Sequence, residues 1–338
     1  MKIGRITGNA YRRSIVQQIR TKRNEVISGA GLGADCAVFS FKNADFSGEN
    51  GCTDLISCMQ TGEEAVDRLL QKCMNIFACH GVKAVAAALQ ILLPADAQEQ
   101  ALKDILAEAE QFAGLHDIQI AQVQGRVTQA VTEALVTVVL YGTGTSAESK
   151  SYHTVKAMEP GQDIVLSKWI GLEGTALLAG RERETLLERY PAWFIEEAAG
   201  FDRYLSIEPE AAVALKSGVC AMYHLAEGGI LAALWELAEG AGVGLTIDIK
   251  KIPVRQETVE VCNQLNVNPY ELLSGGCLLM TTRNGTGLAA DLEAAGIPAA
   301  VIGRTTDSND RLILNDGEER YLDRPAQDGI YTDIAIES

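Results

Sequence analysis

No apolar run in this 338-residue chain approaches the ~20 residues that cross a bilayer, so no membrane span is expected. The opening stretch MKIGRITGNAYRRSIVQQIR is basic but has no apolar core, so it is not expected to act as a secretory signal. The eight cysteines, at 36, 52, 58, 73, 79, 220, 262 and 277, include no CxxC pair and no small-domain disulfide framework. A reduced, cytoplasmic setting is therefore expected. Cys73, Cys79 and His80 are spaced so that one helical face cannot present all three, and they read as small buried side chains rather than a metal cluster. No short-period repeat is present. Acidic residues are absent before Glu25, whereas Lys2, Arg5, Arg12, Arg13, Arg20, Lys22 and Arg23 lie there. That basic arm has two readings: a solvated helix pairing with the acidic body of the protein, or a lid over a polyphosphate. The chain as a whole carries a net charge of −16, which argues against non-specific nucleic-acid binding.

What is present is an ordinary globular composition, 47% apolar and 22% charged, in a length that favours two domains. The hydrophobic periodicity predicts alternating α/β halves, one over residues 1–145 and one over 152–338. In the first half, strands are expected at Cys36–Phe41 and Leu55–Met59, and Thr61 with Glu64 reads as a capping box opening a helix through Cys79. Lys83–Leu93, ended by Pro94, reads as a strand buried on both faces. A helix at Ala97–Ala113 and strands at Ile118–Val123 and Val131–Tyr141 follow, with Gly142–Ser151 as a linker. The second half is expected to hold strands at 163–168, 219–222, 245–249, 277–281 and 299–302, and helices at 175–181, 208–217, 256–265 and 286–295.

The most informative stretch is Gly218–Gly244, GVCAMYHLAEGGILAALWELAEGAGVG. A short apolar strand leads into a glycine pair and then a helix whose Ile230, Leu231, Leu234, Trp235, Leu237 and Ala238 mark one buried face. Gly228 and Gly229 at the helix start either admit an anion to backbone N–H groups or permit close packing. The turn Tyr223-His224-Leu225-Ala226-Glu227-Gly228-Gly229 resembles that of the superfamily of AIR synthases and the hydrogenase maturation factor HypE. So do Gly33-Ala34-Asp35-Cys36-Ala37-Val38, Asn75-Ile76-Phe77-Ala78-Cys79-His80-Gly81 and Leu273-Ser274-Gly275-Gly276, in the same order. The resemblance implies a two-domain α/β (α+β), PurM-like fold. Its N-terminal domain of sheet and helices would dimerise into a β-barrel, and its C-terminal domain would carry a mixed sheet.

It also implies ATP and Mg²⁺ as cofactors, with carboxylates holding the metal during phosphoryl transfer. Here the sequence departs. Ile76, Arg126 and His224 stand where the family has acids, and isoleucine cannot ligate Mg²⁺. Arg126 could pair with phosphate directly. By resemblance, Asp35, Glu227 and His224 are the candidate catalytic residues. Gly33, Asp35, Asn75, Arg126, Gly228 and Gly229 are the candidates for phosphate or nucleotide, and Asp35 and Asp54 for metal. Asp35 reads equally as a cap on its glycine loop, Glu227 as a first-turn acid, and His224 as a satisfied loop histidine. Any anion is expected in an interdomain cleft, with Gly229→Val obstructing it. Two functions follow: a nucleotide- or phosphate-binding member with a degenerate Mg·ATP site, or a non-catalytic paralogue acting in assembly. The implied partners are a second copy of the chain or a catalytic paralogue, with neither nucleic acid nor membrane expected.

Overall fold

The computed structural model describes residues 12–13, 16–18, 26–28, 37–39, 53–145, 155–325 and 327–331. These form two compact units, one from residues 26–145 and one from 12–18 together with 155–331.

The first unit comprises β1 (Val26–Ser28), β2 (Ala37–Phe39), β3 (Thr53–Gly62), α1 (Val66–Cys79), β4 (Lys83–Leu93), α2 (Glu99–Leu115), β5 (Gln119–Val127) and β6 (Leu135–Thr145). The strands form one open sheet in the order β1-β2-β3-β6-β4-β5. Neighbours are antiparallel except β4 and β5, which run parallel because α2 carries the chain back over the sheet. Both helices pack on the face bearing Ile56, Val138, Leu89 and Ile91, where Leu69, Phe77 and Ala109 complete the core. The other face is open. β4 alternates, with Ala87, Leu89 and Ile91 buried but Val85 and Gln90 exposed, so it is not buried on both faces as its apolar run suggested. Leu55, Met59 and Val85 reach solvent on the sheet, Met59 with 64% of its surface.

Two boundary expectations are corrected by pairing. β3 stays in register with β6 as far as Gly62, so Thr61 lies in the ladder and bonds Thr137 Oγ1 at 2.9 Å instead of capping a helix. α1 starts at Val66 behind Ala65 with no side-chain cap, and Glu64 pairs with Lys72 at 2.7 Å. The expected linker begins too early, because residues 142–145 complete β6 opposite β3. Gly142 is a packing glycine: a Cβ there would stand 2.6 Å from Phe77, Val82 and the Lys83 carbonyl.

The second unit comprises β7 (Asp163–Ser167), α3 (Leu172–Arg181), α4 (Arg183–Leu187), α5 (Ala192–Ala199), α6 (Glu208–Lys216), β8 (Ala221–His224), α7 (Gly229–Ala241), β9 (Gly244–Asp248), α8 (Gln256–Gln264), β10 (Leu278–Thr282), α9 (Gly285–Ala294), β11 (Ala299–Thr306), β12 (Arg311–Asn315) and β13 (Glu318–Tyr321). Its seven strands run β13-β12-β9-β11-β7-β10-β8, antiparallel except for β9 with β12, which makes the sheet mixed. Leu234, Trp235 and Leu237 of α7 pack with Ile164, Leu166 and Leu279 of the sheet. Each such fully buried side chain contributes roughly 1.5–3 kcal/mol. The sequence reading had no element for 182–207, where α4 and α5 seat Leu186, Ile195 and Ala198 against Leu178 and Val261.

One residue of the basic stretch, Arg12, pairs with an acidic residue of the second unit. Arg12 binds Glu239 at 2.7 Å, and Glu239 also takes Arg311 at 2.7 Å. Arg311 lies 4.8 Å from the Trp235 ring centre. Hydrogen bonding from Arg12, foremost, and from Arg311 holds the Glu239 carboxyl below its ordinary range, against the opposing effect of its partial burial. Glu239 is near the last turn of α7, so Arg12 does not lie over Gly228 and Gly229 at the other end. Among the described residues, Cys58, Cys73, Cys79, Cys262 and Cys277 form no disulfide and are buried, as small apolar side chains would be, and no helix is long and apolar enough to cross a membrane.

Candidate functional site

β8 ends at His224 with all four residues buried, and a turn of four residues leads into α7. Gly228 and Gly229 hold φ of 80° and 62°, left-handed values that favour glycine at both positions. Their surroundings differ. A Cβ on Gly229 would stand 2.5 Å from the Tyr270 carbonyl oxygen and 2.8 Å from that of Leu272, so this glycine is needed for packing. Gly228, by contrast, aims its N–H at a carboxylate.

That carboxylate belongs to Asp328, 100 residues further on. Its Oδ2 accepts from Gly228 N–H, and its Oδ1 accepts from Leu273 N–H at 3.2 Å and Ile330 N–H at 2.8 Å. Three backbone amides, one from the glycine pair and one beside the Leu273–Gly276 turn, thus converge on one oxyanion at the positive end of α7. Asp328 is only 4% exposed. Burial, foremost, and the nearby Glu227 charge push its pKa up to about 6, while the three amides pull it down. The segment is clasped from both sides: Gly329 N–H donates to the Glu271 carbonyl at 3.2 Å, and Tyr331 donates its hydroxyl proton to Glu227 Oε1 at 2.6 Å.

The same end of the sheet gathers other polar groups. His224 Nε2 accepts from Gly276 N–H at 3.4 Å. Ser274 Oγ accepts from Gly171 N–H at 2.8 Å and donates to the Leu272 carbonyl at 2.7 Å, tying this turn to the start of α3. Glu173, in the first turn of α3, is 1% exposed, and its Oε2 lies 2.1 Å from where a Gly275 Cβ would be. Gly275 therefore exists to leave room for a buried carboxylate.

The structure thus brings Glu227, His224, Gly228 and Gly229 together at one end of the second sheet. The remaining candidates belong to the first unit. Asn75 is buried in α1 and accepts from Gln71 at 3.0 Å. Ile76 is buried in the apolar core. Asp54 is fully buried on β3, opposite Gly144. Arg126 is exposed on β5 beside Leu92 of β4. Gly33 and Asp35 lie outside the described residues. Asp328 and Glu173 were missed because nothing local distinguishes them; their roles come from partners far along the chain.

Asp328 gives the site a pH signature. Its proton is bound more tightly in the folded state than at the ordinary 3.8, so this stabilisation is complete below about pH 3.8 and is lost as the pH rises through 6. The difference in unfolding free energy between the unmodified protein and Asp328→Asn is expected to fall by on the order of 2 kcal/mol from pH 4 to 7. A difference that stays flat in urea titrations across that window would show that the three amides offset the burial completely.

Comparison with known proteins places these features. Residues 159–315 match the family model of the AIR synthase related protein, C-terminal domain. A protein of Methanocaldococcus jannaschii named for hydrogenase expression/formation is 25% identical over 219 residues, 62% of this chain and 59% of that one. The chain spans about half the length of the curated relatives it matches. The fold is that of HypE: the E. coli protein superposes with a TM-score of 0.68 at 19% identity, covering 81% of this chain and 86% of that one. A HypE solved in complex with ATP gives 0.66 at 15% identity, covering 86% and 90%.

Proposed function

Because the chain belongs to the AIR synthase-related, HypE-like superfamily, we propose that it binds ATP or another phosphate compound at the start of α7. The observation that carries this is the oxyanion already seated there on backbone amides alone, with no cationic side chain among its hydrogen-bond donors. A backbone nest of this kind is compatible with phosphate whatever side chains surround it. The ATP held by a structural neighbour supports the same reading.

Mg²⁺ is a different matter. It demands hard oxygen ligands in near-octahedral geometry. Among the described residues, Ile76 is a buried hydrocarbon, Arg126 is a cation, and His224 already accepts a backbone N–H through Nε2. No group of three His, Cys, Asp or Glu side chains that could hold a metal is present among those residues. This donor set does not fit Mg²⁺. In calorimetry, ATP is expected to bind with an affinity that Mg²⁺ changes by less than about threefold. Robust Mg²⁺-dependent turnover would overturn the reading.

An assembly role has its own support in the open face of the first sheet. Leu55, Met59 and Val85 there form an apolar surface of the kind that marks an interface, and a partner sheet would cover it. The proposed partner is a second copy of this chain or an intact paralogue. Met59→Glu is expected to turn a dimer into a monomer in light scattering while changing unfolding stability by no more than about 0.5 kcal/mol. An unmodified protein that is monomeric at micromolar concentration would remove the homodimer.

A further inference from the structure

The Asp328 carboxylate does what a ligand oxyanion would do, and it does so from a short segment whose Gly329 and Ile330 are buried while Tyr331 is exposed. The segment 327–331 has ties beyond the carboxylate itself, which displacement must break. They include the Gly329 bond to Glu271, the Tyr331 bond to Glu227, a 3.3 Å bond from Arg181 to the Ile330 carbonyl, and the Ile330 side chain, which is buried with Leu178 and Val261. The bond from Tyr331 draws it toward Glu227, whose negative charge opposes that of Asp328. Burial and this like charge disfavour the ionised carboxylate, against the pull of the three amides.

A groove opens beside the nest. Gly228 lines it together with Arg320, Tyr321 and Arg324, and with the carboxylates of Glu271 and Asp323. Neither arginine has an ion-pair partner among the described residues, in a chain whose net charge is −16 and whose other arginines are mostly paired. Tyr321 is 67% exposed and offers a ring to an apolar or aromatic ligand portion. Unpaired cations beside an amide nest fit a ligand with more negative charge than one carboxylate.

We propose that Asp328 is a tethered stand-in for an external phosphate: segment 327–331 occupies the amide nest of α7, and a phosphate-bearing ligand binds by displacing it, drawn in by Arg320 and Arg324. This deepens the phosphate-site reading above and rests on it. The segment acts as an intramolecular competitor, so the apparent affinity for ligand is the intrinsic affinity reduced by the fraction of molecules whose nest is open. Removing the carboxylate removes the competitor and leaves the Gly228 and Leu273 amides in place.

Calorimetry with ATP, and separately with inorganic phosphate, on the unmodified protein, Asp328→Ala and Asp328→Asn tests this. The dissociation constant is expected to tighten about tenfold or more in both variants, as removal of a dominant closed population requires. Arg320→Ala with Arg324→Ala should weaken binding and flatten its salt dependence. In the unmodified protein, ATP should speed hydrogen exchange at the Gly329, Ile330 and Tyr331 amides, a readout that does not depend on the variants folding. Equal affinity of the unmodified protein and both variants, or slower exchange on adding ATP, overturns the displaced segment while the phosphate site stands. No binding to any of the three proteins overturns both.

Discussion

Gly229→Val is expected to destabilise the second unit, well beyond any effect on anion binding. At φ 62° a side chain is strained whatever the space around it, at roughly 1–2 kcal/mol. The new Cβ would also meet the carbonyl oxygens of Tyr270 and Leu272 at 2.5 and 2.8 Å, and backbone cannot swing aside as a side-chain tip can. Overpacking of this kind adds about 1–3 kcal/mol, and β-branching worsens it. The combined loss lowers the thermal midpoint by about 10 °C or more in a unit of this size. Gly317→Ala is the control: it shares the left-handed φ, at 84°, but meets no atom within 4 Å, so only about 1 kcal/mol of strain is expected. A Gly229→Val protein that melts like the unmodified chain and has lost only ligand affinity would return this glycine to the role the sequence suggested.

The second large effect lies in the Lys168–Glu210 pair. Lys168 Nζ meets Glu210 Oε1 at 2.6 Å, with the two side chains 9% and 2% exposed. The ammonium group also donates to the carbonyls of Tyr204 at 2.8 Å and Ser206 at 2.7 Å, so all three of its protons are used. Glu210→Ala leaves a cation in the interior, and Lys168→Met leaves a carboxylate there. Each is expected to cost about 3–5 kcal/mol in urea unfolding. The double variant Lys168→Met with Glu210→Leu should cost much less than the two losses added together, because neither charge remains. Single losses below about 1 kcal/mol would show that water reaches the pair.

What the sequence made legible was whatever depends on local periodicity. Lys83–Leu93 was bounded correctly as a strand, because its apolar run ends at Pro94, where a ladder donor is missing. The face of α7 was legible too, since Leu234, Trp235 and Leu237 sit at helical spacing and pack as that spacing implies. The false capping box shows the limit: Thr61 and Glu64 have the right spacing, but β6 claims Thr61 and Lys72 claims Glu64. α4 and α5 escaped because each is short, with five and eight residues, and so few turns on either side of Pro191 develop no clear period. At the site, the glycine pair and its turn could be found from residue type alone. Asp328 could not, because what makes it part of the site is an amide 100 residues away.

The bond between Arg12 and Glu239 joins positions 227 residues apart within one unit. Everything that builds the first sheet is made in that interval. During synthesis at ~5–20 residues per second, Arg12 waits roughly ten to forty-five seconds for its partner. The first unit can complete its sheet in that time, since all its strands have by then left the ribosome. The second unit must then close a loop around an already folded insert, a contact of high sequence separation that folds late and slowly. On renaturation of the whole chain, the first sheet is expected to gain protection from hydrogen exchange before α7 does.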